Sequence, residues 1–200
     1  MTATEAIPAA QRQGGHARFT GPTTLQVDDH TCVEARAIVI ATRTRPVVPA
    51  PFDAIRDSVL TSDDVFEMQD LPSSMAVIGA GLIALELGQA MQRLGVRIVF
   101  FSPFDELGPF SDPKIKQVGH RDLSADLDLR LHTEILAAER VANGIALRWR
   151  DAAGESGEDT FAAVLVAAGR QPTLAGLNLE PTGVAFGDTG LPHADLETAR

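Results

Sequence analysis

Residues 75–84 read Met-Ala-Val-Ile-Gly-Ala-Gly-Leu-Ile-Ala, and this stretch decides the fold of the chain. Its first four residues are apolar and predict a buried strand, which ends in a turn at the two glycines. From Leu82 to Leu94 apolar residues recur at helical spacing, and Gly95 stands where a helix commonly ends. A further apolar run, 96–101, predicts a second strand. A strand, a helix and a strand within about 30 residues favour a right-handed parallel crossover.

The glycine turn has the spacing Gly79-x-Gly81-x-x-Ala84. Gly79 permits a tight turn, Gly81 has no Cβ to obstruct a pyrophosphate, and Ala84 is small enough for close packing of the helix on the strand. The first amides of the helix attract phosphate, because they lack helical partners and carry a partial positive charge. The spacing predicts a dinucleotide site, and the alternative is a glycine turn that only packs tightly. We assign to the site the residues of the turn, Ile78, Gly79, Ala80, Gly81, Leu82, Ile83 and Ala84.

The end of the second predicted strand bears on the choice between NAD and NADP. An NAD site commonly has an acidic residue about 20 positions after the first glycine, where it binds the adenine ribose. Ser102 stands at that position, and we include it among the candidate cofactor contacts. Asp105 and Glu106 follow closely and could substitute, or they could be ordinary loop charges. No arginine lies nearby to bind a 2′-phosphate, so the choice between NAD and NADP stays open.

The rest of the chain alternates short strands with turns. Residues 16–42 contain several strand-like runs, and the last of them, Ala37–Ala41, is typical of a strand buried on both faces. Residues 43–57 hold three prolines and predict a connecting segment, and the polar run Thr61–Asp64 predicts the start of a short helix. A second helix is predicted from Asp112 to Leu127, and strands follow it. The predicted strands are 129–131, 134–140, 144–150 and 160–168. This order predicts an α/β protein.

Composition excludes several classes of function. The formal net charge is −10, from 17 Lys+Arg and 27 Asp+Glu, which disfavours binding to nucleic acid or to an anionic membrane. The single cysteine, Cys32, cannot form an intrachain disulfide, and we expect it to be buried and inert in a strand. The five histidines show no metal-ligand spacing, so we predict no metal site. Because no apolar stretch is long enough to span a membrane and no export signal is evident, we expect a cytoplasmic protein.

Several motifs in order resemble one known family. They are Ile38–Pro46, Thr61–Asp64, Val77–Leu87, Val164–Thr173 and Asp195–Thr198. Together they resemble class-I pyridine nucleotide-disulfide oxidoreductases, most closely the dihydrolipoamide dehydrogenase group, over about residues 14–200. The resemblance implies a Rossmann-like nucleotide-binding domain, made of a βαβ unit and a β-meander and flanked by partial FAD-domain strands. It implies NAD or NADP as cofactor and, in intact members, hydride transfer between NAD(P)H and FAD.

The resemblance also implies a division of the chain and further site residues. The expected segments are a tail at 1–13, part of a FAD domain with a linker at 14–72, the NAD(P)-binding domain at 73–160 and a return to the FAD domain at 161–200. Glu86 matches a glutamate near the nicotinamide end of the cofactor, although it could simply be a solvated helix residue. Ile135 matches a position whose backbone lies by the cofactor, and Gly169 matches the glycine where the chain returns to the flavin domain. Arg170, beside it, could pair locally instead of contacting a ligand.

The departures from the family pattern shape the expected activity. The flavin-binding glycine motif, the redox cysteine pair and the C-terminal dimerisation domain, through which intact members are homodimers, are not found, so we assign no catalytic residue. At the flavin-side motif, Thr42 is kept, but Arg43 replaces a glycine, so we do not expect this chain alone to bind FAD. The predicted function is nicotinamide dinucleotide binding within a flavin-dependent disulfide oxidoreductase. The alternatives are a binding module without turnover and a flavin-independent NAD(P) dehydrogenase. The latter is disfavoured, because the chain has no tyrosine for a Ser/Tyr/Lys set.

Overall fold

The computed structural model describes residues 6–187 and 190–193 of the chain. The first five residues of the predicted tail and the motif at 195–198 lie outside this range. The chain divides into two compact units, one made of Met1–Thr44 and Pro172–Arg200 and the other of Arg45–Gln171. The predicted nucleotide-binding domain, 73–160, lies inside the second unit. Within the described ranges, neither helix combines the length and the apolar character that crossing a membrane requires.

The first unit contains a small antiparallel sheet. Its strands are β1 (Ala17–Gly21), β2 (Thr24–Val27) and β3 (Thr31–Glu34), in the order β1-β2-β3. The buried apolar side chains of this unit, among the described residues, are Phe19, Val27 and Leu179. The amide of Phe19 donates to the carbonyl of Leu177 over 2.7 Å, and the Asn178 side chain donates to the Phe19 carbonyl over 2.7 Å. These bonds attach the returning chain to β1.

The prediction of a buried strand at Ala37–Ala41 is wrong. Residues 37–41 form no strand, and Val39 is 88% exposed. A strand needs a neighbour for its amides and carbonyls, and within the described part of the chain no strand pairs with this run. The apolar pattern is therefore not sufficient to form a strand here.

The second unit is built on a parallel sheet. Near the two ends of this stretch of chain, the short strands β4 (Thr44–Pro46) and β13 (Arg170–Pro172) pair with each other. The strands and helices between them are β5 (Leu60–Thr61), β6 (Ser74–Ile78), α1 (Leu82–Arg93), β7 (Arg97–Phe101), α2 (Pro113–Asp126), β8 (Asp128–Arg130), β9 (Glu134–Val141), β10 (Gly144–Arg150), β11 (Ser156–Phe161) and β12 (Ala163–Val166). The sheet has the order β5-β12-β6-β7-β8 with every neighbouring pair parallel, and β9, β10 and β11 form an antiparallel meander. The predicted α/β fold with a βαβ unit and a meander is confirmed.

Both faces of the parallel sheet are buried, because side chains alternate between two apolar clusters. Ala76 and Ile78 of β6 face the cluster that includes residues of the meander, such as Leu147. Met75 and Val77 face the other cluster, which includes Ala84 of α1. This alternation explains why β6 reads as a continuous apolar run.

Two predicted elements differ in detail. The single strand predicted at 160–168 is divided into β11 and β12, because residues up to Phe161 pair with β10 and those from Ala163 pair with β6. Between them, the Ala162 amide donates to Ser74 Oγ over 3.1 Å. The helix predicted after Thr61–Asp64 is a single 3-10 turn, Val65–Glu67. Its expected cap, Asp64, instead accepts hydrogen bonds from the amide (2.8 Å) and hydroxyl (2.6 Å) of Thr61.

Candidate functional site

A cleft of about 720 Å³ lies at the carboxyl ends of the parallel strands. Val166, Ile78 and Phe101 are the last residues of β12, β6 and β7, they are in register, and all three line the cleft. From β6 the chain proceeds to β7 and β8 on one side, whereas β12 lies on the other side, so the strand order reverses here. Parallel α/β sheets bind ligands at such a reversal. The lining residues with sequence-predicted roles are Ile78, Gly79, Ala80, Gly81, Leu82, Ile83, Ser102, Ile135 and Gly169.

The two glycines of the turn differ in what their backbone requires. Gly79 has φ +116°, and a Cβ there would lie 2.5 Å from the Ala167 carbonyl oxygen. Close packing and positive φ are therefore sufficient to require glycine at this position. Gly81 has an ordinary φ of −73°, and a Cβ there would meet no described atom within 4 Å. The backbone at Gly81 is open to the cleft, so tight packing of the protein does not explain this second glycine.

The N-terminus of α1 opens into the same cleft. Gly81 is the N-cap of this helix, and no side chain accepts a hydrogen bond from the first amides there. The first helical hydrogen bond runs from the Leu85 amide to the Gly81 carbonyl over 3.0 Å. Leu82 and Ile83, the first residues of the helix, line the cleft. This arrangement directs a helix dipole and backbone amides at the space beside Gly81 and can bind an anion.

Close contact between α1 and the sheet involves Gly88 as well as Ala84. Ala84 is fully buried and lies outside the lining of the cleft as the described residues form it. A Cβ at Gly88 would lie 2.4 Å from Cζ of Phe100 on β7. Sequence reasoning did not single out Gly88, although a glycine inside a helical pattern commonly indicates a close approach.

Ser102 lies at the edge of the cleft, but its hydroxyl is already engaged. The residue is only 3% exposed. Its amide donates to the Arg130 carbonyl over 3.1 Å, and its own carbonyl accepts from the Thr133 amide over 2.8 Å. Its Oγ accepts a hydrogen bond from the Phe104 amide over 3.2 Å. Thr133 and Phe104 also line the cleft, and no sequence signal indicated either residue.

The acidic residues that follow Ser102 differ in position. Glu106 lines the cleft, whereas Asp105 does not belong to the lining that the described residues provide. The amide of Gly108 donates to the Ala80 carbonyl over 2.8 Å, so this loop is bonded to the glycine turn. Glu106 is therefore the carboxylate of this loop that is placed to contact a ligand.

The remaining predicted residues are divided between the cleft and other places. Ile135 is buried and lines the cleft. Gly169, with φ +120°, also lines the cleft, and its carbonyl oxygen accepts a hydrogen bond from the Val47 amide over 3.0 Å. Glu86 is exposed on α1 and lies outside the cleft lining formed by the described residues. Arg170 lines the cleft but donates to Ser62 Oγ (2.7 Å) and to Asp63 (3.0 Å), as expected for local pairing.

Thr42 and Arg43 belong to the first unit of the chain. The Thr42 hydroxyl donates to the Thr173 carbonyl over 2.7 Å, and the Arg43 carbonyl accepts from the Thr173 amide over 3.0 Å. Arg43 has φ +66°, a left-handed conformation that favours glycine. Arginine therefore occupies a backbone conformation here that glycine would adopt with less strain.

Part of the cleft comes from the segment before β6, which the sequence indicated only as a connection. Pro46, Pro49, Pro51, Phe52 and Ser62 line it. Phe52 is fully buried, so this segment packs on the sheet and does not pass over it loosely. Prolines without periodicity indicate a loop, but they give no indication of what the loop covers.

The expectation that Cys32 is buried is wrong. Cys32 lies on β3 and is exposed, because the side chains of this strand alternate between half-buried and exposed positions and residue 32 occupies an exposed one. No group of three or more His, Cys, Asp or Glu side chains forms a possible metal site within the described ranges.

A cluster of charged and aromatic side chains connects the parallel sheet to the meander behind Ser102. Arg130 of β8 donates to Asp159 of β11 over 2.5 Å, and the Trp149 indole donates to the same oxygen over 2.8 Å. The Arg130 guanidinium also lies 5.1 Å from the centre of the Phe101 ring. Burial opposes ionisation of Asp159, but the hydrogen bonds from Arg130 and Trp149 and the charges of Arg130 and Arg97 outweigh it and lower the pKa of Asp159.

Comparison with known proteins identifies related sequences over most of the chain. The family model described as pyridine nucleotide-disulphide oxidoreductase matches residues 8–198. A dihydrolipoyl dehydrogenase of Vibrio cholerae is 29% identical over 92% of this chain and 39% of its own length. Dihydrolipoyl dehydrogenase 3 of Pseudomonas aeruginosa is 35% identical over 81% of this chain and 35% of its own length. The chain thus spans well under half the length of these relatives.

Solved structures share the fold. The HOCl-induced flavoprotein disulfide reductase RclA of Escherichia coli superimposes with a TM-score of 0.74 at 23% identity, over 90% of this chain and 41% of that protein. At this identity the likeness supports the fold and not a shared substrate.

Proposed function

The chain belongs to the pyridine nucleotide-disulphide oxidoreductase family, and we propose that its second unit, residues 45–171, binds a nicotinamide dinucleotide, NAD or NADP. The observation that carries this proposal is the cleft at the carboxyl ends of β12, β6 and β7, which opens at the glycine turn and the N-terminus of α1. Its volume of about 720 Å³ falls within the usual range of ligand sites.

The pyrophosphate of the dinucleotide binds beside Gly81 in this proposal. The lack of any described atom within 4 Å of a Cβ at Gly81 leaves room for the phosphate oxygens. The uncapped amides at the start of α1 donate to these oxygens, and the helix dipole favours their negative charge. Gly79 acts differently, because it allows the strand to turn against Ala167 and so positions the helix.

The bound cofactor would supply hydride chemistry to the whole protein. A bound nicotinamide would supply hydride chemistry, which the family resemblance implies is an exchange between NAD(P)H and FAD. We propose that this chain contributes the NAD(P)-binding part of a dihydrolipoyl dehydrogenase-like, flavin-dependent disulfide oxidoreductase in the cytoplasm. Its own residues bind and orient the dinucleotide, and the proposal assigns no proton or electron transfer to them.

A second candidate function, nucleotide binding without turnover, is favoured by the single cysteine. Dithiol–disulfide exchange within one chain needs two thiols, and Cys32 is the one cysteine of the sequence. An assay of dihydrolipoamide oxidation by the purified chain, with FAD added, tests this candidate, for which we expect no turnover. Turnover would contradict the binding-module candidate.

The proposed site is tested by Gly81→Val. The two methyl groups would occupy the space in which the pyrophosphate binds, and losing one set of charge-assisted hydrogen bonds costs about 1.5–3 kcal/mol, so affinity should fall at least about tenfold. Isothermal titration with NADH and NADPH measures the loss. With serine at 102 in place of an acidic residue, the two wild-type affinities should agree within roughly tenfold.

The control for this experiment is Gly14→Val. Gly14 also has no described atom within 4 Å of its Cβ position and lacks a positive φ, but it lies in the first unit. Affinity should be unchanged in this variant, and thermal unfolding should show that both variants fold. Equal affinities of wild type and Gly81→Val would contradict the proposed site.

A further inference from the structure

Phe104 presents an exposed aromatic ring at the edge of the cleft. The residue is 66% exposed, and it belongs to the lining. The other large apolar residue that is both exposed and in the described lining is Leu82 at the start of α1. Large aromatic side chains bury their area when a ring or a base can stack on them.

The backbone of Phe104 is held from both sides. Its amide donates to Ser102 Oγ over 3.2 Å, and its carbonyl oxygen lies 3.5 Å from the His132 amide. Pro103 restricts the chain between the two residues. Ser102 is itself buried and bonded to Arg130 and Thr133. The backbone that carries the ring is therefore held in place while the residue is largely exposed, which lowers the entropy cost of binding a flat ligand group.

The position of Phe104 determines which part of a dinucleotide it would contact. It follows β7, the strand next to β6, whereas the proposed pyrophosphate position is at the end of β6. In a dinucleotide-binding βαβ unit the adenosine half extends over the end of the second strand. That end is where Ser102 and Phe104 lie.

We infer that Phe104 stacks on the adenine base of the bound dinucleotide and that Ser102 is a positioning residue that holds Phe104 in place. The inference rests on the proposed function. Stacking uses the π face of the base and does not involve the ribose 2′ position, so it would serve NAD and NADP equally. It also gives the Ser102 hydroxyl a role different from the ribose contact predicted from the sequence, because its oxygen accepts from the Phe104 amide.

The test compares Phe104→Ala with Phe66→Ala in the full chain. Phe66 is 79% exposed in the same unit and lies outside the described cleft lining, so it is the matched control. The probes are NADH, ADP-ribose and reduced nicotinamide mononucleotide, which has no adenine. Phe104→Ala should lower the affinity for NADH and for ADP-ribose about fivefold to a hundredfold, the range expected for base stacking on an aromatic residue. It should leave the mononucleotide unchanged, and Phe66→Ala should change none of the three.

Two further measurements address the stacking and the role of Ser102. In Phe104→Trp, ADP-ribose should quench the tryptophan fluorescence more strongly than in the wild type, whose single tryptophan is Trp149. Ser102→Ala should lower the affinity for NADH in the wild-type background but not in the Phe104→Ala background. Ser102→Thr, which keeps the hydroxyl, should bind NADH with the wild-type affinity. Additive effects of Ser102→Ala and Phe104→Ala would overturn the positioning role.

The outcomes separate this inference from the proposed function. If wild type binds NADH and Gly81→Val weakens it while Phe104→Ala has no effect, the stacking inference is overturned and the proposed function stands. Equal weakening of the mononucleotide and NADH by Phe104→Ala would also overturn it, because the loss would then not concern adenine. If wild type binds no NADH, both are overturned.

Discussion

Two apolar runs of similar composition have opposite fates in this protein. Met75–Ile78 is part of β6, where every one of these residues is buried. Ala37–Ala41 is no strand, and its Val39 is 88% exposed. β6 has parallel neighbours on both sides, β12 and β7, and apolar clusters on both faces. Within the described residues, the run at 37–41 has no paired strand. Neighbours in the fold, and not the apolar pattern alone, decide whether such a run forms a buried strand.

The largest expected effect comes from separating the two units. Every residue of the two apolar clusters, with the side chains packed against them, lies between residues 48 and 167. Residues 45–171 alone should therefore unfold cooperatively, with a free energy of unfolding within about 1 kcal/mol of that of the same unit in the whole chain. Residues 1–44 alone should show no cooperative transition, because segments of about 40 residues rarely bury enough apolar area. Thermal unfolding followed by circular dichroism checks both fragments. Loss of the transition in 45–171 would contradict the comparison.

Val77→Ala and Val39→Ala test the two runs directly. Val77 of β6 is fully buried in the cluster that includes Ala84 of α1, and removing two methyl groups there should lower the free energy of unfolding by about 2 kcal/mol. The same change at Val39 should alter it by less than about 0.5 kcal/mol. Urea denaturation measures both variants. A cost at Val39 that equals the cost at Val77 would mean that the run at 37–41 is packed.

Asp159→Asn tests how much the neighbours of the sheet contribute. It removes the negative charge to which both Arg130 and Trp149 donate. Because the Asp159 side chain is 33% exposed, the free energy of unfolding should fall by only about 1 kcal/mol. The folded-state pKa of Asp159 is lowered from its ordinary value of 3.8, so its stabilising effect is complete above that value and lost as the pH falls through the lowered pKa. The wild-type advantage should be constant between about pH 5 and 8 and vanish in stronger acid.

The control for Asp159→Asn is Asp122→Asn. Asp122 pairs with Arg121 on α2 where both side chains are well exposed, and we expect no measurable loss of stability. Urea denaturation at several pH values measures both variants. A wild-type advantage at Asp159 that grew towards low pH would have the wrong sign and would contradict the role given to this carboxylate.

The smallest expected effect concerns the first unit at Arg43. Glycine adopts the φ of +66° without strain, so Arg43→Gly should stabilise that segment by up to about 1 kcal/mol after the larger entropy of the unfolded chain is included. Exchange of the Thr173 amide hydrogen, which bonds to the Arg43 carbonyl, should slow. Arg45→Gly is the control, because residue 45 lacks a positive φ and glycine there should cost about 0.5–1 kcal/mol. Faster exchange in Arg43→Gly would contradict the assignment of strain.

Local signals explain which parts of the site were predictable. The glycine turn, the limits of α1 and the position of Ser102 follow from residues adjacent in sequence, and the structure places the turn and Ser102 at the cleft. Glu86 was a candidate through the family resemblance, and it is exposed on α1 away from the described lining. Phe104 and Thr133 carried no signal, because they reach the cleft through loops whose course depends on hydrogen bonds to Ser102.

The sequence alone was sufficient to predict the βαβ unit, since its strand, turn and helix depend on apolar periodicity and on closely spaced glycines. It also places Gly81, a residue without a Cβ, at the start of α1. The tertiary structure alone reveals that Gly79 and Gly81 serve different purposes, because the Ala167 carbonyl that excludes a Cβ at Gly79 belongs to the residue directly after β12, 88 positions later in the chain. It likewise decided that residues 37–41 form no strand and that the Ser102 hydroxyl binds the Phe104 amide, since pairing and hydrogen bonding depend on neighbours that a linear pattern does not specify.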